Sequence, residues 1–324
     1  MQFQPTAKPP VGIVFDAGLG NSIDDALALA SLYGFQGKGE SRVIGVNTSR
    51  PGLNSAIFAD ILVRFYTGEP NAFFGATPIG LTLGKEAPDT AMMTTVLSKP
   101  AFARNIKQMN DTADPLAVFR NALSAQFDAN AIVFLAGPAT NLARALDLPG
   151  MKLLLAAKVR YLVTAMGNFA GGAADPQVLA DLPAARKLFA EWPTPVVAAG
   201  SELGAALTFP SASLEKDFAW APVHPMVDAY RAAGQMPYDA PAVALSAALY
   251  TVRPKEGYFR ESDAGTISIG NDGRTTLAPA TGGKHRFLVA DPAQKERIMP
   301  LFVETASTKP VPRAPRFRPP QKKQ

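Results

Sequence analysis

The segment Asp16-Ala-Gly-Leu-Gly-Asn-Ser-Ile-Asp24-Asp25 brings three carboxylates into one short stretch of chain. A β-branched apolar run, VGIVFDA (11–17), leads into it, and a helical pattern, DDALALASLYG (24–34), leads out. Gly18 and Gly20 let the backbone turn tightly or approach a ligand closely. Acids in a first helical turn are favoured by the helix dipole. Two adjacent ones still repel unless a cap, a cation or a ligand offsets the repulsion. Two readings follow. Either one aspartate caps the helix while the other is solvated, or the closely set carboxylates hold a hard cation such as calcium or magnesium.

Other chemistries are narrowed by composition. The 324 residues contain no cysteine, which removes disulfides, thiolate metal sites and cysteine nucleophiles. Only two histidines occur, His224 between prolines and His285 at a strand start, and neither sits in a catalytic motif. Both read as structural or surface residues. Hydrophobic residues make up 47% and charged residues 18%, and no apolar run is long enough to span a bilayer. The formal charge of +5 is concentrated at the end of the chain. Lys309, Arg313, Arg316, Arg318, Lys322 and Lys323 supply six positive charges, so the remainder is near −1. From that location a nucleic-acid partner is not expected, and the Pro-rich tail is expected to be mobile. Absence of cysteine fits cytoplasm and periplasm alike.

The elements needed to position the acidic loop alternate. Strand runs at 11–17, 42–49, 131–137, 159–167 and 194–200 are separated by helical patterns, including 24–34 and 54–68. This is an α/β chain with a mostly parallel central sheet flanked by helices, an open Rossmann-like core. Ligands in such sheets bind beyond the carboxyl ends of the strands. A helix is expected over 239–253, then a hairpin around Asn271–Gly273, a strand at 284–290 and a closing helix to 306. The expected organisation is a lead-in (1–10), one domain (11–304) and a basic tail (305–324).

The acidic loop resembles that of the inosine–uridine-preferring nucleoside hydrolases, one branch of which reads D-x-D-x-G-N-D-x-D-D-A-L-A-L. Asp16, Gly20, Asn21, Asp24 and Asp25 match without a gap, whereas Gly18 and Ser22 depart. Further blocks are similar and in order: FLAGPATNLARAL (134–146), TAMGN (164–168), DPQVLADLPAARKLFAEWPTPVVAAGSELG (175–204) and YDAPAVALSAALYTVRPKEGYFRES (238–262). The resemblance covers nearly all of residues 11–290.

It implies a hydrolase that cleaves the N-glycosidic bond of ribonucleosides with a calcium-bound water. It further implies metal ligands at Asp25, the Ala136 carbonyl and Asp239, and a ribose contact at Asp24. Asp175 and Gln177 fall where the family has E-x-N, and Tyr238 replaces a histidine or tryptophan. Asn47 and Asn168 are further polar candidates, each equally readable as a turn residue. Gly18 stands where the family has the aspartate that is both base and ligand. A glycine side chain can do neither, and Asp16, two residues earlier on an extended run, is a weak substitute. Three functions are open: a working N-ribohydrolase, an inactive homologue binding a nucleoside or other glycosyl ligand, and an interaction scaffold. Family members commonly form homo-oligomers.

Overall fold

In the computed structural model, which describes residues 9–68 and 77–311, every residue of the first strand after Val11 is buried. Ile13, Phe15 and Ala17 face one apolar cluster, and Val14 faces a second on the opposite side. Burial on both faces explains the unbroken apolar run, since no solvent face calls for alternation. In chain order the strands are β1 (Val11–Ala17), β2 (Ser41–Thr48), β3 (Ile79–Leu81), β4 (Ala131–Ala136), β5 (Val159–Thr164), β6 (Val196–Ala198), β7 (Thr208–Phe209), β8 (Ala240–Pro241), β9 (Phe259–Glu261), β10 (Gly265–Ile269), β11 (Thr275–Pro279) and β12 (His285–Ala290).

Ten strands form one sheet in the order β11-β10-β12-β6-β5-β4-β1-β2-β3, with β9 paired to β12. Pairing is parallel from β3 through to β12, while β9 and the β10–β11 hairpin are antiparallel. The mostly parallel sheet with a C-terminal hairpin is therefore as the sequence implies. β7 and β8 form a separate two-stranded ladder. Strand order reverses direction between β1 and β4, so a crevice opens beyond their carboxyl ends. Ala17 and Ala136 are register partners at that edge, and the acidic loop leaves β1 just there.

Several boundaries shift from expectation, and the largest changes among the helices are in the last third of the chain. The helix expected over 239–253 spans Val243–Val252. Pro241 disfavours helical backbone at Ala240, and both residues pair instead with β7. Asp239 accordingly precedes a strand, not a helix. The closing helix runs Lys295–Ala306, preceded by a 3-10 turn at Pro292–Gln294.

Both histidines are structural. His224 accepts from Met226 N at 3.2 Å, capping the helix Pro225–Ala233, and burial takes its pKa down to about 3. His285 accepts from Ile267 N at 3.0 Å, and burial lowers its pKa as well. No described helix is long and apolar enough to cross a membrane. Residues 1–8 of the lead-in and 312–324 of the basic tail lie outside the described residues.

Phe134 of β4 packs on Phe15 of β1 with ring centroids 4.9 Å apart, both fully buried. Phe134→Ala is expected to destabilise by about 3–5 kcal/mol, measured by urea unfolding.

Candidate functional site

After β1 the backbone turns through Gly18–Asn21, with Gly20 at a φ of 99° that an L side chain rarely adopts. Ser22 then caps the helix Ile23–Gly37, its hydroxyl accepting from Asp24 N at 3.1 Å. Neither aspartate is the cap of this helix, and neither is solvated. Asp24 is 8% exposed and Asp25 3%.

Asp24 reaches another helix. Its carboxylate accepts from Ala244 N at 2.6 Å and Leu245 N at 3.0 Å, closing the N-terminus of Val243–Val252. Burial raises its pKa to about 7, against the lowering effect of those N–H groups. Asp25 has no such partner, and its Oδ2 is buried without a hydrogen bond. Burial, then the charge of Asp24, pushes Asp25 well above the usual carboxylate range.

Both aspartates line a cavity of about 340 Å³ beyond the carboxyl ends of β1 and β4. Ala136, Asp175, Gln177, Tyr238 and Asn21 also line it. Asp175 caps the helix Pro176–Ala180 by accepting from Gln177 N at 2.8 Å, and burial raises its pKa to about 6. The Tyr238 hydroxyl is committed, donating to Tyr230 O at 2.8 Å, so the ring itself is what forms cavity wall. Among the described residues, no lysine, arginine or histidine lines it.

The remaining expected residues lie elsewhere. Asp16 is fully buried behind the cavity wall and accepts from Asn141 Nδ2 at 2.9 Å; Thr82 Oγ1 in turn donates to Asn141 Oδ1 at 2.7 Å. Burial raises Asp16 to about 7, and Asn141, Asn47 and Ser49 pull it down. Asn47, the register partner of Asp16, is fully buried in the sheet interior next to Gly80 and away from the cavity. Asn168 is a turn residue: its side chain donates to Ala173 O at 3.0 Å and accepts from Ala170 N at 3.2 Å.

Asp239 is exposed and turned outward. It accepts from Ser211 N at 2.8 Å and Ser211 Oγ at 3.1 Å. The metal set implied by resemblance thus divides, with Asp25 and Ala136 on the cavity and Asp239 outside it. Calcium takes roughly six to eight oxygens, several of them carboxylate. Among the described residues no three His, Asp or Glu side chains converge to hold a metal. With Asp24 engaged by a helix end and Gly18 without a side chain, the residues present do not fit a tightly held calcium.

Three residues with a part in this geometry were not singled out from sequence. Glu202, in the GSELG block, accepts from Phe169 N at 3.2 Å, leaves Oε1 buried without a partner, and raises the pKa of Asp175 by its charge. Asn141 anchors Asp16, and Arg50 donates to Asn21. Glu202 and Asn141 stand inside quoted blocks, whereas Arg50 gives no signal beyond following the second strand.

No family model matches the chain, and no curated protein matches it in sequence. Solved structures do match, and they show that the chain has the nucleoside hydrolase fold. A plant nucleoside hydrolase superposes with a TM-score of 0.70 at 18% identity, over 92% of this chain and 99% of its own. The purine-preferring ribonucleoside hydrolase from Gardnerella vaginalis gives 0.68 at 14%, over 91% and 98%. The type III effector protein XopQ, solved in complex with adenosine diphosphate ribose, gives 0.65 at 14%, over 93% and 95%.

Two outcomes are expected. Asp24→Ala removes the closure of the helix Val243–Val252 and should lower stability by about 0.5–2 kcal/mol, read by urea unfolding. Asp16, Asp24 and Asp175 keep protons in the folded state that the unfolded chain has released above 3.8. Their contribution to stability is therefore greatest below that value, falls as pH rises, and levels off above about 7. Asp16→Asn removes one of these groups, so its melting temperature should decline less steeply than the parent's across that window. An equal or steeper decline would contradict the burial argument.

Proposed function

We propose that the cavity binds the ribosyl part of a nucleoside or a related glycosyl ligand, and that cleavage of the N-glycosidic bond is impaired. The observation that carries this reading is the convergence of Asp24, Asp25, Asp175, Gln177 and Tyr238 on one cavity where the strand order reverses. Structures sharing the fold are named as nucleoside hydrolases, and one as a complex with adenosine diphosphate ribose, which supports a ribosyl ligand. Asp25 Oδ2 has no partner and can accept from a sugar hydroxyl. Gln177, half-buried in the same lining, carries both a donor and an acceptor.

Hydrolysis also requires a group to take the proton of the attacking water. Gly18 offers none, and loss of a general base typically lowers the rate by about 10²–10⁴-fold. Asp16 is no replacement, because it does not line the cavity and is held by Asn141. Calcium binding on this reading is weak and runs through Asp25.

Calorimetric titration with inosine, paired with an assay of base release, tests both halves. Binding with slow release is expected, and Asp25→Asn should weaken inosine binding by roughly tenfold or more. No binding of inosine, uridine or adenosine diphosphate ribose would remove the ribosyl reading. Turnover in the range of typical enzymes, roughly 1–10³ per second, would remove the impairment.

A further inference from the structure

The space above Gly18 is already filled. A Cβ on Gly18 would lie 2.7 Å from Nδ2 of Asn21, a residue exposed at the cavity mouth and part of its lining. The orientation of this carboxamide is set from behind. Arg50 Nη1 donates to Asn21 Oδ1, and a guanidinium has only donors to offer. The oxygen must therefore face Arg50, leaving the NH₂ group on the Gly18 side.

Arg50 is itself fixed. It is 7% exposed, and Nη2 donates to the carbonyls of Ala87 and Pro88. The same segment is tied to the acidic loop a second time, by Thr90 Oγ1 donating to Gly20 O at 2.8 Å. The amide is thus held between two anchored loops.

We propose that Asn21, held by Arg50, is a specificity-determining residue that presents an N–H donor where a carboxylate base would otherwise stand. An amide NH₂ has no lone pair free for a cation, and the guanidinium behind it repels one. The cavity mouth therefore excludes a divalent cation and takes an acceptor oxygen of a neutral ligand. Choice of ligand rests on the ribosyl reading above; the exclusion of cations does not.

Calorimetry with inosine and, separately, calcium chloride on the full chain tests this, with melting temperature as the check on folding. Asn21 is exposed, so Asn21→Ala and Asn21→Asp should fold as the parent does. Asn21→Ala should weaken inosine binding roughly five- to tenfold through loss of one hydrogen bond, and Asn21→Asp should weaken it further. Asn21→Asp should not gain calcium affinity, because Arg50 pairs with the new carboxylate. Asn21→Asp combined with Arg50→Gln frees that carboxylate and should tighten calcium by about tenfold, since affinity follows ligand charge. Unchanged inosine binding in Asn21→Ala, or calcium gained by Asn21→Asp alone, would overturn the proposal. If the parent binds no inosine, it is the ribosyl reading that fails, and the calcium measurements alone decide the role of Asn21.

Discussion

The carboxylate of Asp24 joins parts of the chain that are 220 residues apart. The helix it closes, VALSAALYTV, is buried from Ala244 to Thr251 and has no side-chain cap of its own. Its first N–H groups need an acceptor from elsewhere in the chain, and closing such a helix end is worth about 0.5–2 kcal/mol. A carboxylate meets both those donors and the positive end of the helix dipole. It comes from the first turn of Ile23–Gly37, so the two helices cannot separate without exposing an unpaired charge and unpaired donors together. The wall of the cavity is made where these two helices meet.

This junction also divides the work of the acidic pair. Successive residues on a helix point roughly 100° apart, so with Asp24 directed at the second helix, Asp25 is turned elsewhere and lines the cavity. Both oxygens of Asp24 are engaged, whereas Asp25 keeps one without a partner. The charge of Asp24 raises the pKa of its neighbour further. One aspartate is therefore structural in its main contacts, and the other is the group with capacity left for a ligand.

Much of the fold was legible because its strands are buried on both faces and read as unbroken apolar runs. The reversal of strand order then put the crevice beside the acidic loop. Asp25, Ala136, Asp175, Gln177 and Tyr238 fall on that crevice because each follows or flanks an element whose position the pattern specifies. What could not be read from the sequence has a common cause, which is that a side chain's partner carries no local mark. Asp24 binds backbone N–H groups of a distant helix. Asp16 binds Asn141, which reaches it from the turn after β4. Asp239 sits in the expected block, but Pro241 holds the backbone extended and Ser211 takes its carboxylate. A block match gives a residue's place along the chain; it does not give the direction of its side chain.

The same distinction governs how the cavity can satisfy a ligand. Its buried acids accept hydrogen bonds, and among the described residues no basic side chain lines it to answer them. A neutral polyol meets that demand through hydroxyl donors without bringing a charge out of water, which an ion would have to do. The amide over Gly18 asks for the opposite, an acceptor. A sugar with hydroxyls on one edge and a ring or substituent oxygen on another offers both, whereas a hydrated cation offers donors everywhere. With Asn21 and Arg50 behind it, the space over Gly18 carries N–H donors and a positive charge, the opposite of what would hold a cation.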